Sequence, residues 1–65
     1  MSIGENIKRL REEKGVTQNQ MAKDLFMTNQ MLCGIENDLK QPSLNIALAI
    51  AHYFGVSVEQ LAGRE

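Results

Sequence analysis

The polar side chains best placed to bind a partner lie in the stretch TQNQMAKDLFMTNQMLCGIE, residues 17–36. The second half of this stretch has two faces, because Leu32 and Ile35, three residues apart, are directed toward the same side of a helix. The residues directed mostly away from them are Asn29, Gln30, Gly34 and Asn37. This outer face is uncharged and rich in amides, which both donate and accept hydrogen bonds. We therefore treat it as a candidate recognition surface.

The sequence contains no arrangement of residues that is typical of catalysis or cofactor binding. It contains no paired Cys/His constellation, no phosphate-binding loop and no cofactor fingerprint. Cys33 is the single cysteine, which excludes an internal disulfide and a multi-cysteine zinc site, and His52 has no second metal ligand. No basic neighbour in the sequence favours a thiolate, so we interpret Cys33 as a small filler and not as a redox sensor. We predict no enzymatic activity, no cofactor, no metal and no small-molecule ligand.

Helix-capping residues divide the chain into five predicted helices. A capping box, in which two side chains three residues apart each bind the other residue's backbone amide, is predicted at three places. These boxes are Ser2 with Glu5, Thr17 with Gln20, and Ser57 with Gln60. Thr28 and Ser43 provide further N-caps. Together with apolar residues at helical spacing, the caps predict helices over about 3–14, 18–25, 29–36, 44–54 and 58–62, and no strands.

The second and third predicted helices are joined by a very short connection. Only Phe26 and Met27 lie between the end of the second helix and Thr28, the N-cap of the third. With so short a link, the later helix must cross the earlier one steeply instead of lying antiparallel along it. This arrangement predicts a helix-turn-helix.

The length and charge of the chain limit what it can form and bind. Its 65 residues allow one domain, residues 1–65, with a small core. The formal net charge of -1 counts against nucleic-acid binding, because neutralisation of phosphates drives most nonspecific affinity. Lys8, Arg9, Arg11 and Lys14 nevertheless cluster in the first predicted helix, and such a local asymmetry can outweigh the total.

Hydropathy predicts the compartment. No apolar run approaches the roughly 18 residues that a membrane span requires, and the polar N-terminus lacks the apolar segment of a signal peptide. The chain is therefore predicted to be neither exported nor inserted in a membrane. A single cysteine fits a reducing interior, so we expect a cytoplasmic protein.

The fourth predicted helix is apolar on more than one side. Its core stripe is predicted to contain Leu44, Ala47, Ile50, Ala51 and Phe54. Apolar residues outside that stripe exceed what a small domain needs to bury, which suggests a contact with a second copy. The candidate dimer residues are Ile46, Ala49, Tyr53 and Val58. The alternative is that these residues pack inside one monomer.

One further pattern runs at fixed spacing through nearly the whole chain. It consists of Ile7, Leu10, Arg11, Gly15, Thr17-Gln18, Met21-Ala22, Leu25, Thr28, Leu32, Ile35-Glu36, Pro42-Ser43-Leu44, Ile50-Ala51, Gly55-Val56-Ser57 and Leu61. This pattern resembles the phage-repressor or Cro-type helix-turn-helix regulators, also called the XRE family. The resemblance implies an all-α, five-helix, lambda-repressor-like DNA-binding domain whose third helix enters the major groove. It also implies a small transcriptional regulator, a homodimeric repressor that binds a palindromic operator in double-stranded DNA.

The resemblance implies a set of DNA-contacting residues. They are Thr17, Gln18, Thr28, Asn29, Gln30, Met31, Cys33, Gly34, Asn37 and Lys40. Asn29 and Gln30 would pair through their amides with adenine N6 and N7, and Gly34 occupies a later reading position. Asn37 and Lys40 stand where the family binds backbone phosphate through the loop after the third helix.

A structural ion pair is also implied by the resemblance. It would join an arginine of the first helix to the glutamate that ends the third helix, here Arg11 and Glu36. Without the resemblance these would be two exposed and unrelated charges, because ionisable residues are rarely buried unless they are paired. We expect the loss of Arg11 to unfold the domain more than it changes specificity.

Three features depart from the family pattern, and the last two of them, together with the acidic total charge, favour an alternative function. Phe26 replaces the usual turn glycine, and left-handed backbone strains a bulky residue by about 1 kcal/mol or more. Asp38 replaces another frequent glycine and places a negative charge beside the expected phosphate path, while the third helix contains no Lys or Arg. The alternative is a helix-turn-helix scaffold that binds protein, antitoxin-like or part of an assembly, with weak or no DNA binding.

Overall fold

The computed structural model describes residues 2–63, which form five α-helices and no strand. The helices are α1 (Ile3–Lys14), α2 (Gln18–Asp24), α3 (Asn29–Glu36), α4 (Leu44–Phe54) and α5 (Val58–Leu61). The predicted all-α, five-helix architecture is confirmed. The second and fifth helices each end one residue earlier than the sequence predicts, within the usual variation of helix ends.

Each helix begins after a Ser or Thr whose Oγ accepts a hydrogen bond from the backbone amide three residues later. The capping boxes predicted at Ser2 and Ser57 are complete. The box predicted at Thr17 is wrong in one half. Thr17 accepts from the Gln20 amide, but the Gln20 side chain donates to Asp24 Oδ1 at 2.8 Å. Because Asp24 lies one helical turn ahead, Gln20 has a charged acceptor on its own helix.

Each of the five described helices is followed by a residue with left-handed backbone. These residues are Gly15, Phe26, Asp38, Gly55 and Gly63, with φ of 81°, 56°, 61°, 70° and 81°. After α2, the Met27 amide donates to the Ala22 carbonyl at 2.9 Å and the Phe26 amide to the Lys23 carbonyl at 3.2 Å. These are the two bonds of a Schellman motif, whose left-handed position is usually glycine. The strain expected at Phe26 is therefore present, and Asp38 occupies the same position after α3.

The apolar faces of the helices meet in one core. Its buried members are Ile7, Met21, Ala22, Leu32, Ile35, Ile50, Ala51 and Leu61. The prediction that Leu44 belongs to the core is wrong: it is 70% exposed, because it lies in the first turn of α4, where the described residues leave most of it uncovered. A polar residue is buried instead, since Asn6 donates from Nδ2 to the Leu61 carbonyl at 3.1 Å and so joins α1 to α5.

The start of α1 packs closely against the end of α3 at Gly4. A Cβ atom on Gly4 would lie 2.5 Å from the Ile35 carbonyl oxygen and 2.7 Å from the Glu36 carbonyl oxygen. Only glycine fits this space, because backbone atoms cannot move aside as a flexible side chain can. The contact also brings the positive end of one helix dipole to the negative end of another, which is favourable.

We expect Phe26→Gly to stabilise the domain. The substitution removes left-handed strain while it sacrifices no buried contact, since Phe26 is 98% exposed. After allowance for the larger unfolded-state entropy of glycine, the expected gain is roughly 0.5–1 kcal/mol, or a few degrees in Tm. Thermal unfolding followed by circular dichroism would measure it. Phe26→Ala is the matched control, because it removes the ring and keeps the Cβ; a glycine variant no more stable than this control would contradict the prediction.

Candidate nucleic-acid interface

The candidate recognition surface begins at the first turn of α3. Asn29 and Gln30 are exposed there. Thr28 precedes them as the N-cap, and its Oγ accepts a hydrogen bond from the Met31 amide at 3.0 Å. A hydroxyl that caps a helix in this way still has its own hydrogen to donate. Met31 and Cys33 are half-buried farther along the helix.

The prediction that Gly34 is open to a partner on this surface is wrong, although it lies on the outer side of α3. Gly34 is buried, and the side chain of Lys40 covers it, so that a Cβ at position 34 would lie 3.4 Å from Lys40 Cγ and Cδ. The backbone amides of Leu39 and Lys40 both donate to the Gly34 carbonyl, at 2.8 and 3.2 Å. These two bonds fold the loop after α3 back over the helix. Gly34 therefore offers no surface of its own to a partner.

The structural ion pair predicted between Arg11 and Glu36 is present. Arg11 Nε donates to Glu36 Oε2 at 2.7 Å, and Nη2 donates to Oε1 at 3.2 Å. Arg11 Nη1 also donates to the Val16 carbonyl at 3.0 Å. Glu36 is only 3% exposed, so its charge is neutralised by a bidentate partner inside the fold. Hydrogen bonding to Glu36 raises the pKa of Arg11 above its usual value.

Gln18 joins the same buried carboxylate from the first turn of α2. Its Nε2 donates to Glu36 Oε1 at 2.8 Å. An amide nitrogen carries two hydrogens, so one donor of Gln18 is used here and the second remains for an outside acceptor. The side chain predicted to contact DNA is thus held in place by the ion pair behind it.

The backbone amides at the start of the loop after α3, residues 37–40, all donate to carbonyls of that helix. The Asn37 amide donates to the Cys33 carbonyl at 3.0 Å and the Asp38 amide to the Ile35 carbonyl at 3.2 Å. The next two amides of the loop donate to Gly34, as described above. The Asn37 side chain also contacts Cys33, with Nδ2 3.3 Å from Sγ. A hydrogen bond donated to a partner by residues 37–40 must therefore come from their side chains.

The carboxylate of Asp38 is tied to the start of α1. Its Oδ2 accepts a hydrogen bond from Ser2 Oγ at 2.7 Å. The capping carboxylate of Glu5 lies at the same helix end, and its pKa is lowered mainly because the backbone amide of Ser2 donates to it. The acidic group expected beside a phosphate path is thus fixed at a helix N-terminus, where negative charge is favoured.

Packing within one monomer engages most of the residues predicted for a dimer surface. Those partly buried against the core are Ile46, Tyr53 and Val58. Tyr53 also donates from its hydroxyl to Asp24 Oδ2 at 2.7 Å, and Lys14 Nζ lies 5.1 Å from the centre of its ring. Ala49 is the member of the set that is exposed. The tyrosine therefore connects α4 to α2 and α1.

The described part of the chain contains neither a metal-binding cluster nor a membrane-spanning helix. Residues 2–63 bring together no group of three or more His, Cys, Asp or Glu side chains that could hold a metal ion. His52 is exposed on α4. None of the helices described above is both long enough and apolar enough to cross a membrane.

Comparison with known proteins decides the family. A family model described as helix-turn-helix matches residues 7–61, which is most of the chain. The chain belongs to the XRE family of helix-turn-helix DNA-binding regulators. The matched range includes all of α2 to α5 and most of α1, so the residues of the candidate interface fall inside it.

Two curated relatives of this XRE-family chain match it over all 65 residues. The immunity repressor protein of Bacillus phage phi105 is 35% identical, and the HTH-type transcriptional regulator ImmR of Bacillus subtilis (strain 168) is 31% identical. The chain covers 45% and 51% of these proteins, respectively. It therefore spans about half the length of the curated relatives it matches.

The fold is shared with a solved repressor structure. The P22 c2 repressor protein, crystallised in complex with a synthetic operator, matches with a TM-score of 0.92 and 20% sequence identity. The match covers 100% of this chain and 98% of that chain. At this identity the similarity concerns the fold alone, and it confirms the predicted lambda-repressor-like architecture.

We expect Arg11→Met to unfold most of the domain. The substitution leaves Glu36 buried without its cationic partner, which costs about 3–5 kcal/mol, as much as a core of this size usually supplies. Circular dichroism and urea unfolding would measure the loss. Lys8→Met is the matched control, because it removes an exposed charge from the same helix. The double variant Arg11→Met/Glu36→Met should recover stability; a double variant as unstable as Arg11→Met alone would contradict this account.

We expect Tyr53→Phe to lower Tm by an amount that depends on pH. The bond from Tyr53 lowers the pKa of Asp24 below its ordinary 3.8, while burial and this bond raise the pKa of Tyr53 from 10.0 to about 12. A depressed carboxyl pKa contributes stability that is lost as the pH falls through the folded value, and a raised phenol pKa contributes stability that is lost as the pH rises through it.

The difference in Tm between wild type and Tyr53→Phe should therefore be largest between about pH 5 and pH 9 and shrink on either side. Phenylalanine keeps the ring that contacts Lys14 and Phe54, so the variant tests the hydroxyl alone. Thermal scans across the pH range would measure the difference. A constant difference at every pH would show that the bond to Asp24 is not its source.

Proposed function

We propose that this chain binds double-stranded DNA sequence-specifically through the first turn of α3 and represses transcription from the bound site. The observation that carries the proposal is the exposed amide pair Asn29 and Gln30 on a helix that a buried ion pair fixes from behind. Membership of the XRE family supports it. So do the names of its relatives, an immunity repressor and a transcriptional regulator.

Each residue at the first turn of α3 has a role in the proposed complex. The amides of Asn29 and Gln30 pair with adenine N6 and N7 in the major groove, and Met31 contacts a thymine methyl group. The hydroxyl of Thr28 caps α3 and donates its own hydrogen to a phosphate. Cys33 and Asn37 lie farther along the same helix face, where they contact the sugar-phosphate backbone at the side of the groove.

Residues of α2 contact the backbone beside the groove in this proposal. Thr17 caps α2 in the same way as Thr28 caps α3, and it too has a hydroxyl hydrogen to donate. Gln18 donates its second amide hydrogen to a phosphate while the first remains bonded to Glu36. The N-termini of α2 and α3 therefore both bind the phosphate backbone of the DNA strand whose bases α3 contacts.

The proposed complex is a homodimer on a palindromic operator. Helix-turn-helix domains on such operators read two half-sites whose centres lie roughly 34 Å apart, one turn of the duplex. A second copy also adds burial to a small core that is only marginally stable alone. Ala49 is retained in the proposed dimer contact together with the exposed parts of Ile46, Tyr53 and Val58. We infer a cytoplasmic location, because the DNA of a bacterial or phage-type regulator lies there.

Selection of bound sites from random duplexes would test the proposal. The wild-type chain should enrich one sequence, with adenines in each half-site and half-sites one helical turn apart. On the selected duplex, Asn29→Ala/Gln30→Ala should lower affinity by about 100-fold, since each bidentate amide–adenine pair discriminates by about 1–3 kcal/mol. Asn45→Ala is the matched control, because it removes an exposed amide from α4.

Each alternative outcome has a definite meaning. Unchanged affinity of the double variant would remove Asn29 and Gln30 from base recognition. Enrichment of single half-sites without fixed spacing would contradict the homodimer. A wild-type chain that enriches no sequence would overturn DNA recognition and leave the protein-binding scaffold as the function of this fold.

A further inference from the structure

The outer stripe of α3 has a gap in its middle. Gln30, Gly34 and Asn37 follow one another at intervals of four and three residues, so they lie on one side of the helix. The first and last of these carry exposed amides, while Gly34 carries no side chain. A side chain at position 34 would therefore enter any DNA groove that accommodates Gln30 and Asn37.

Lys40 fills this gap from outside the helix. Its Cγ and Cδ lie 3.4 Å, and its Cε 3.8 Å, from the place where a Cβ of residue 34 would stand. The Leu39 and Lys40 amides, both bonded to the Gly34 carbonyl, fix the start of this side chain. The aliphatic part of the Lys40 side chain therefore lies beside the position from which a side chain of residue 34 would extend. The ammonium group is one bond beyond Cε.

The ammonium group of Lys40 is not neutralised within the described part of the chain. The ion pairs formed among residues 2–63 are Arg9 with Glu13 and Arg11 with Glu36. The acidic neighbour in the loop, Asp38, is bonded to Ser2. Lys40 therefore brings a positive charge to a recognition helix that contains no Lys or Arg of its own.

We propose that Lys40 is a specificity-determining residue that takes the place of a side chain at position 34 and reads guanine. From above Gly34 its ammonium donates to guanine O6 and N7, the acceptors that this base presents in the major groove. The inference rests on the proposed function, and it goes beyond the phosphate contact implied for this residue by the family. The amides of Asn29 and Gln30 recognise adenine. Lys40 therefore adds recognition of guanine, which no side chain of α3 itself provides.

The geometry favours a base over a phosphate as the partner of Lys40. The aliphatic stem of Lys40 lies across the outer face of α3, with Cγ and Cδ 3.4 Å from the place where a Cβ of residue 34 would stand. A side chain on that face shares the groove with Gln30 and Asn37.

Lys40→Met tests the proposal because it keeps an unbranched stem over Gly34 and removes the charge. Affinities of wild type and variant would be measured on the duplex selected by the wild-type chain and on a duplex with the guanine replaced. We expect a loss of about 10-fold or more on the guanine duplex and under about threefold on the replaced one. Lys23→Met, which removes one exposed positive charge from α2, should weaken both duplexes equally.

Gly34→Gln is a second test, because it keeps the positive charge of Lys40 but displaces the Lys40 side chain from its place over residue 34. The new side chain occupies the space of the Lys40 stem, which is flexible and can shift without disturbing the backbone. We expect the preference for guanine to fall as it does in Lys40→Met, while the unfolding midpoint stays at or above that of the wild type, because glutamine favours helix more than glycine does.

Three results would overturn the proposal. If Lys40→Met weakens binding to both duplexes equally and reduces the slope of log affinity against log salt by about one, Lys40 contacts a phosphate. If the selected sites contain no preferred guanine, or if Gly34→Gln keeps the wild-type preference, the position above Gly34 does not read a base. A wild-type chain that selects no sequence would instead overturn the proposed function itself.

Discussion

The geometry of the candidate interface depends on one buried carboxylate. Glu36 ends α3 and is almost fully enclosed, and an unpaired charge there would cost several kcal/mol. Arg11 of α1 and Gln18 of α2 both donate to it, so three helices meet at a single acceptor group. Because each donor approaches in a fixed direction, the pair of short helices can cross at only a narrow range of angles. The first turn of α3 is therefore preorganised, although Asn29 and Gln30 are left exposed by residues 2–63.

Local chemistry made most of the architecture predictable from the sequence. Hydroxyl residues before each described helix and left-handed residues after each of them define the elements within a residue or so, because capping depends on neighbours along the chain. The short connection between α2 and α3, residues 25–28, predicts a helix-turn-helix for the same reason. The ion pair of Arg11 with Glu36 was different. Its partners lie 25 residues apart, and only the resemblance to a family related them.

Contacts between one helix and another, or between a helix and a loop, could not be predicted from the sequence. Helical spacing places Gly34 on the outer face, but whether solvent or Lys40 covers it depends on the path of the loop. Gly4 gave a weak signal, since an isolated glycine inside a helix often marks a close contact, yet the sequence does not say that α3 is the neighbour. The polar Asn6 is buried and the apolar Leu44 is exposed, the reverse of what their polarity suggests. Asn6 is buried because the Leu61 carbonyl at the end of α5 accepts its hydrogen bond, and Leu44 is exposed because the core ends before the first turn of α4.

Net charge is a poor guide to this surface, because several acidic groups have fixed partners elsewhere. Glu36 is neutralised inside the fold by Arg11, and Asp38 is held by Ser2 at the start of α1. Hydrogen bonding does not remove the charge of Asp38, but it fixes where that charge lies, whereas the ammonium of Lys40 lies on a flexible stem over α3. The potential that a phosphate meets is set by such placement and not by the total. The salt dependence of affinity reports the phosphates neutralised at the interface, so it measures this local charge directly.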